Sequence, residues 1–150
     1  FARLLVALDG SEIAEQVLPY AREFALHFRS EVILLSVPEG SDSDEAPSSL
    51  RSYLERLRLQ LSSNGVQVRT LVEGSAPAHT ILRVAETEGA DLIMMVSHGR
   101  GGVARQAHVP VGSVTERVVQ EACRPVFLVS ATTPHVPGAP TRIFRDPTAG

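Results

Sequence analysis

The chain is predicted to be an α/β protein, a three-layer, doubly wound sheet of five parallel strands alternating with helices. Three observations carry that prediction. Short, nearly continuous apolar runs recur along the sequence, the mark of strands buried on both faces. Stretches with apolar residues at helical spacing lie between them. The two kinds alternate from one end to the other, which favours right-handed crossovers into a single sheet covered on both sides.

The first run, Arg3 to Leu8, stops at Asp9-Gly10. Similar runs span Glu31 to Val37, Asp91 to Val96 and Pro125 to Val129. A weaker one, Val66 to Val72, sets Val66, Val68 and Thr70 against polar Gln67 and Arg69, as an edge strand would. Ile13, Val17, Tyr20, Phe24 and Phe28 mark one face of a first helix, which Ser11 can cap. Pro19 inside it removes a backbone donor, so a kink or break is expected there. Leu50, Leu54, Leu57 and Leu61 mark a second helix. Ser75 and Pro77 open a third that carries Ile81, Leu82 and Ala85 and ends near Gly89. Gly112-Ser113 opens a fourth, with Val114, Val118 and Ala122 inward.

Composition narrows the function. The 150 residues suit one domain with a proper core, and no apolar run is long enough for a membrane span. Net charge is −3, which argues against a nucleic-acid partner. All 14 basic residues are Arg. The absence of Lys excludes a lysine Schiff base and a P-loop lysine, so phosphate chemistry here falls to backbone N–H groups, helix ends or Arg. The single cysteine, Cys123, rules out an intrachain disulfide and fits a reducing, cytoplasmic compartment. Cys123 itself reads as a partly buried small residue. The five His residues have no metal-ligand spacing.

In an open parallel sheet, ligands bind beyond the carboxyl ends of the strands. Asp9-Gly10-Ser11 follows the first run, and Ser97-His98-Gly99-Arg100-Gly101-Gly102 follows the fourth, leading on to Gly112-Ser113. Glycines let backbone approach a phosphate. A helix start offers free N–H groups and a positive dipole end. Asp9 can accept from a ribose hydroxyl, an exocyclic amine or the water of a bound metal. Arg100, Arg105 and Arg117 make the later segment basic. Ser97 beside His98 lacks an identifiable third group for nucleophilic catalysis, so His98 reads as a loop-shaping residue.

These residues resemble a known family. Leu4-Val6-Ala7-Leu8-Asp9-Gly10-Ser11-Glu12 is similar to the opening of universal stress proteins. Asp91 to Gly102, followed by Val111 to Val118, resembles their later signature, and Cys123 to Val129 their closing strand. The resemblance covers residues 1–130 and leaves 131–150 as a Pro-rich segment: a disordered tail, a linker or a strap. It implies strand order 3-2-1-4-5, with the first and fourth strands adjacent. It implies an adenine nucleotide, ATP or AMP, with any Mg2+ held through the phosphates. It implies a homodimer formed by pairing of the last strand, residues 125–130.

Carried over residue by residue, the resemblance implies that Ala7, Asp9 and Val37 border adenine and ribose, with Met95 against the base. Val96, Gly99, Arg100, Gly112, Ser113 and Val114 would meet ribose and phosphates. Two registers satisfy the family's glycine pattern. Counting alone selects Gly99, Gly102 and Gly112-Ser113. Anchoring on Met95 puts Val96 at the first glycine position and Gly99 at the second, with twelve residues before Gly112. The anchored register is preferred, because a strand end shifts less readily than a loop. It implies about three extra residues near 106–110 and a branched side chain where it could crowd the ligand. That departure motivates an alternative, an interaction module of the same fold without nucleotide binding. A hydrolase ranks last, since no general base is placed for in-line attack.

Overall fold

The computed structural model describes residues 1–38, 48–97 and 112–131. Five strands, β1 (Arg3–Leu8), β2 (Glu31–Ser36), β3 (Gln67–Val72), β4 (Leu92–Val96) and β5 (Val126–Val129), form one sheet in the order β3-β2-β1-β4-β5. Every pairing is parallel. The predicted fold class and strand order are both present.

Strand alternation divides the core into two layers. Leu4, Val6, Leu8, Val32, Leu34, Leu92, Met94 and Val96 face one side. There they meet α1 (Leu18–Phe28) and α2 (Ser48–Ser62) through Ala21, Ala25, Leu54 and Leu57. Leu5, Ile33, Leu35, Ile93 and Met95 face the other side. They meet α3 (Pro77–Thr87) and α4 (Ser113–Glu121) through Ile81, Val84, Ala85 and Val118.

The first helix departs in part from its expected face. A 3-10 turn, Ala14–Val17, precedes α1, and Pro19 falls in the first turn of α1. The break therefore comes just before Pro19, where a missing N–H costs nothing. The buried positions are Ala14, Val17, Ala21 and Ala25, while Ile13 and Phe28 are exposed. Small alanines let the helix lie close on the strands, and the aromatic residues move to its flank. Tyr20 and Phe24 there pack against Phe127 of β5 in tilted and edge-on arrangements, with ring centroids 5.5 and 5.4 Å away.

Two edges remain, β3 and β5. The pattern expected of an edge strand is visible in β3, where Gln67 and Arg69 are exposed and Val68 and Thr70 partly buried. Leu128 of β5 is exposed. Cys123, expected partly buried, is also exposed, because it lies in the turn between α4 and β5 rather than within either element. Among the described residues no helix is long and apolar enough to cross a membrane.

Candidate functional site at the carboxyl ends of β1 and β4

The β1–β4 pairing runs from Leu4 opposite Leu92 to Val6 opposite Met94. Both strands end two residues later, at Leu8 and Val96. Asp9 and Ser97 thus follow adjacent strand ends, where a doubly wound sheet opens its ligand crevice.

Asp9 organises the first loop. Its Oδ1 accepts from the Ser11 backbone N–H at 2.9 Å and from the Ser11 hydroxyl at 2.5 Å. Ser11 Oγ in turn accepts from the Ala14 N–H at 3.2 Å. This is a side-chain-supported turn in which a short polar residue replaces a backbone partner. Ser11, expected from sequence to cap the first helix, does not occupy an N-cap: Ile13 precedes the 3-10 turn and Val17 precedes α1, neither with a side-chain cap, and Ser11 instead supports the turn before them. Next door, the Ser36 hydroxyl at the end of β2 donates to the Leu8 carbonyl at 2.8 Å, tying two strand ends together.

Ala7, Val37, Met95 and Val114 all belong to the layer that faces α3 and α4. Four of the residues singled out from sequence therefore share one side of the sheet. Val96 does not. It is packed in the opposite layer, against the α1 side, because neighbouring strand residues point to opposite faces. Its methyl groups therefore lie on the α1 side of the sheet and not on the Met95 side. Gly99 and Arg100 lie outside the described residues, as do Gly102, Arg105 and the expected longer loop near 106–110.

Gly112 caps α4, and its N–H donates to the Ser97 carbonyl at 3.3 Å. The helix begins at Ser113, so the N–H groups of its first turn have no partner within the helix. Beside this helix head lies a residue that sequence reasoning treated only as a weak nucleophile candidate. Ser97 is 7% exposed, and its Oγ is buried without a hydrogen-bond partner. A buried hydroxyl left unpaired costs about 1–3 kcal/mol, so such groups are rare unless a ligand or water completes them. Hydroxyl residues near a glycine-rich turn are common in sequence, and only burial marks this one.

A second buried hydroxyl, that of Tyr53 on α2, lies on the Asp9 side of the same sheet end, close to Glu15. Burial, then the charge of the Glu15 carboxylate and its hydrogen bond with the hydroxyl, then the Asp9 charge, hold its ionisation far above the usual phenol range, with Arg56 opposing weakly. Tyr53 is therefore a neutral donor at any physiological pH. Among the described residues no cluster of three or more His, Cys, Asp or Glu is arranged to hold a metal ion.

This arrangement has recognisable relatives. The universal stress protein MJ0577 of Methanocaldococcus jannaschii is 27% identical over 156 aligned residues, covering 86% of this chain and 94% of that protein. The MJ0577 structure superposes with a TM-score of 0.77, covering 89% of this chain and 99% of that one. A universal stress protein from Archaeoglobus fulgidus, solved in complex with dAMP, is 22% identical with a TM-score of 0.67, covering 85% and 97% of the two chains. A universal stress protein solved in complex with cAMP is 17% identical with a TM-score of 0.71, covering 88% and 98%. At these last two identities the likeness speaks for the fold alone. The sequence pattern of the universal stress protein family matches residues 1–130, the span that holds every described element, and the chain belongs to that family.

Proposed function

We propose that this chain binds an adenine nucleotide, ATP or AMP, in the crevice between the ends of β1 and β4, and acts as a cytoplasmic stress or signalling protein with little or no catalysis. The observation that carries this reading is the buried, unpartnered Ser97 hydroxyl beside the Gly112-headed start of α4. A donor, a set of free backbone N–H groups and a positive helix end at one place suit an anionic phosphate. Asp9 then reads ribose or the adenine amine, and Ala7, Val37 and Met95 supply the apolar wall. Ser113 and Val114 contribute their N–H groups. Gly99 and Arg100 complete the phosphate side by family resemblance, and Val96 takes part through its backbone only. Two fold relatives solved with dAMP and with cAMP support the choice of an adenine ligand.

The protein is further proposed to be a homodimer through residues 125–130. Support comes from β5 as an outer strand with Leu128 exposed, since an apolar edge invites pairing. Residues 1–130 form the working domain, with 131–150 as an appended segment.

Denaturing the purified protein and analysing the released small molecules by mass spectrometry should reveal ATP or AMP. Calorimetric titration of the emptied protein should give heat with at least one of them. No released nucleotide, together with no heat from either nucleotide with or without Mg2+, rejects the reading and leaves the interaction module. Sedimentation of the same sample should give a dimer, and a monomer at all concentrations removes that part.

A further inference from the structure

An aromatic stripe runs along the flank of α1 beside β5. Tyr20, Phe24 and Phe28 are spaced by four, so they line one side of the helix. Phe127 of β5 touches the first two. Phe28 continues the row, 5.8 Å from Phe24, and Phe1 closes it, 5.2 Å from Phe28. Exposure grows along the row: Tyr20 and Phe24 are half-buried, Phe28 is 44% and Phe1 49% exposed. A continuous aromatic surface beside a well-packed layer marks a docking place.

The sequence supplies an occupant of matching form. Ala131 packs against the α1-side core, so the chain continues from that side of the sheet into residues 132–150. Pro134, Pro137 and Pro140 then recur every third residue. A polyproline II helix has three residues per turn, which puts all three rings on one edge of it. From Pro134 to Pro140 such a helix spans roughly 19 Å, at about 3.1 Å per residue. The stripe from Tyr20 to Phe28 spans roughly 12 Å of α-helix, and Phe1 lengthens it. Between the prolines lie His135, Val136, Gly138 and Ala139, with no Asp, Glu or Arg for an aromatic surface to desolvate. We propose that residues 134–140 dock in polyproline II form along the Tyr20-Phe24-Phe28 stripe, as a strap beside the outer strand. Aromatic-lined surfaces take Pro-rich segments in this way because the segment is already extended and loses little conformational freedom on binding. The short connection through Ala131, Thr132 and Thr133 makes the docking intramolecular, so a weak contact keeps the stripe occupied.

NMR of the isotope-labelled full chain should show nuclear Overhauser contacts from the ring protons of Pro134, Pro137 or Pro140 to those of Tyr20, Phe24 or Phe28. Backbone order parameters of His135, Val136, Gly138 and Ala139 should lie above about 0.6, the boundary of a flexible segment. Pro137→Asp alters only the strap and leaves the packed layers untouched, and it should bring those values below about 0.6. Phe28→Ser, at an exposed part of the stripe, should do the same from the other side. Missing contacts, order parameters below about 0.6 in wild type, or values that either substitution leaves unmoved overturn the inference. Mixing labelled with unlabelled chains tests the rival occupant. Contacts seen only between different chains mean that the stripe holds the corresponding segment of a second copy, and that result also overturns the inference.

Discussion

The two ends of the sheet are built to different rules. At the amino end, polar groups are paired. Arg69 bridges Glu31 at 2.8 Å and Glu88 at 2.7 Å. Arg3 donates to the Glu88 carbonyl, and Asp91 Oδ2 accepts the backbone N–H groups of Ala2 and Arg3 at 2.8 and 2.9 Å. At the carboxyl end, the Ser97 hydroxyl is buried without a partner. Another such atom among the described residues, Arg22 Nε, is on α1. Satisfied polar groups stabilise a fold, whereas unsatisfied ones mark where a ligand or a movement completes the structure. Ion pairs as exposed as these contribute little individually, so the amino end is saturated rather than strong.

Two glycines break this comparison most forcefully. Gly74, after β3, has φ +75°, and an added Cβ would lie 2.2 Å from Thr80 Oγ1. Gly89, at the amino end, has φ +64° and would meet Arg3 Nη1 at 3.4 Å. Both substitutions to Ala force a left-handed backbone, a strain of about 1–2 kcal/mol. Only Gly74→Ala adds a collision with a buried side chain, of about 1–3 kcal/mol. Urea unfolding should therefore show Gly74→Ala destabilised by about 3 kcal/mol and Gly89→Ala by about 1 kcal/mol. Equal losses would mean that the α3 start yields as easily as an arginine side chain.

Ser97→Ala tests the carboxyl end more gently. Removing an unpaired hydroxyl should leave stability unchanged or raise it by up to about 1 kcal/mol. Affinity for AMP should fall by about 10-fold, equivalent to about 1.4 kcal/mol. A clear loss of stability with affinity intact would show the hydroxyl to be structural.

Asp91→Asn is the smallest expected change and probes the paired end. Hydrogen bonds from the backbone of Arg3, and after them Ala2, hold the Asp91 carboxyl below its ordinary range. A lowered folded value means the stabilisation is present above the unfolded value near 3.9 and is lost as pH falls through the folded one. At an exposed position the difference should be about 0.5–1 kcal/mol at pH 7, with wild type and variant converging below about pH 3. A gap of the same size at pH 3 would exclude the carboxylate as its source.

Much of this was legible in the residues themselves. The runs Arg3 to Leu8 and Asp91 to Val96 could be read as buried strands because both their faces are covered, leaving no polar alternation to confuse the period. Pro19 announced a discontinuity, and Gly112-Ser113 a helix start. The face of α1 was legible only in part: Val17, Tyr20 and Phe24 pack on the core as expected, but size brought Ala21 and Ala25 closest to the strands and left Ile13 and Phe28 exposed. Of the candidate site, Asp9, Met95 and Gly112 carried family or turn signals. Ser97 lay within the family signature but with no role attached to its hydroxyl, and Tyr53 carried no signal, since a serine in a polar loop and a tyrosine on an amphipathic helix are ordinary in sequence.

Sequence by itself determined the order of strands and helices, the missing lysine, and the acid and glycines that end β1 and follow β4. Periodicity, turn chemistry and composition are local properties, so local residues suffice to state them. Tertiary structure decided which side of the sheet each residue serves. It set Ala7, Val37, Met95 and Val114 on one layer, sent Val96 to the other, and buried the Ser97 hydroxyl without a partner. Burial and partnership depend on residues far apart in the chain meeting in space, and no window of sequence contains them.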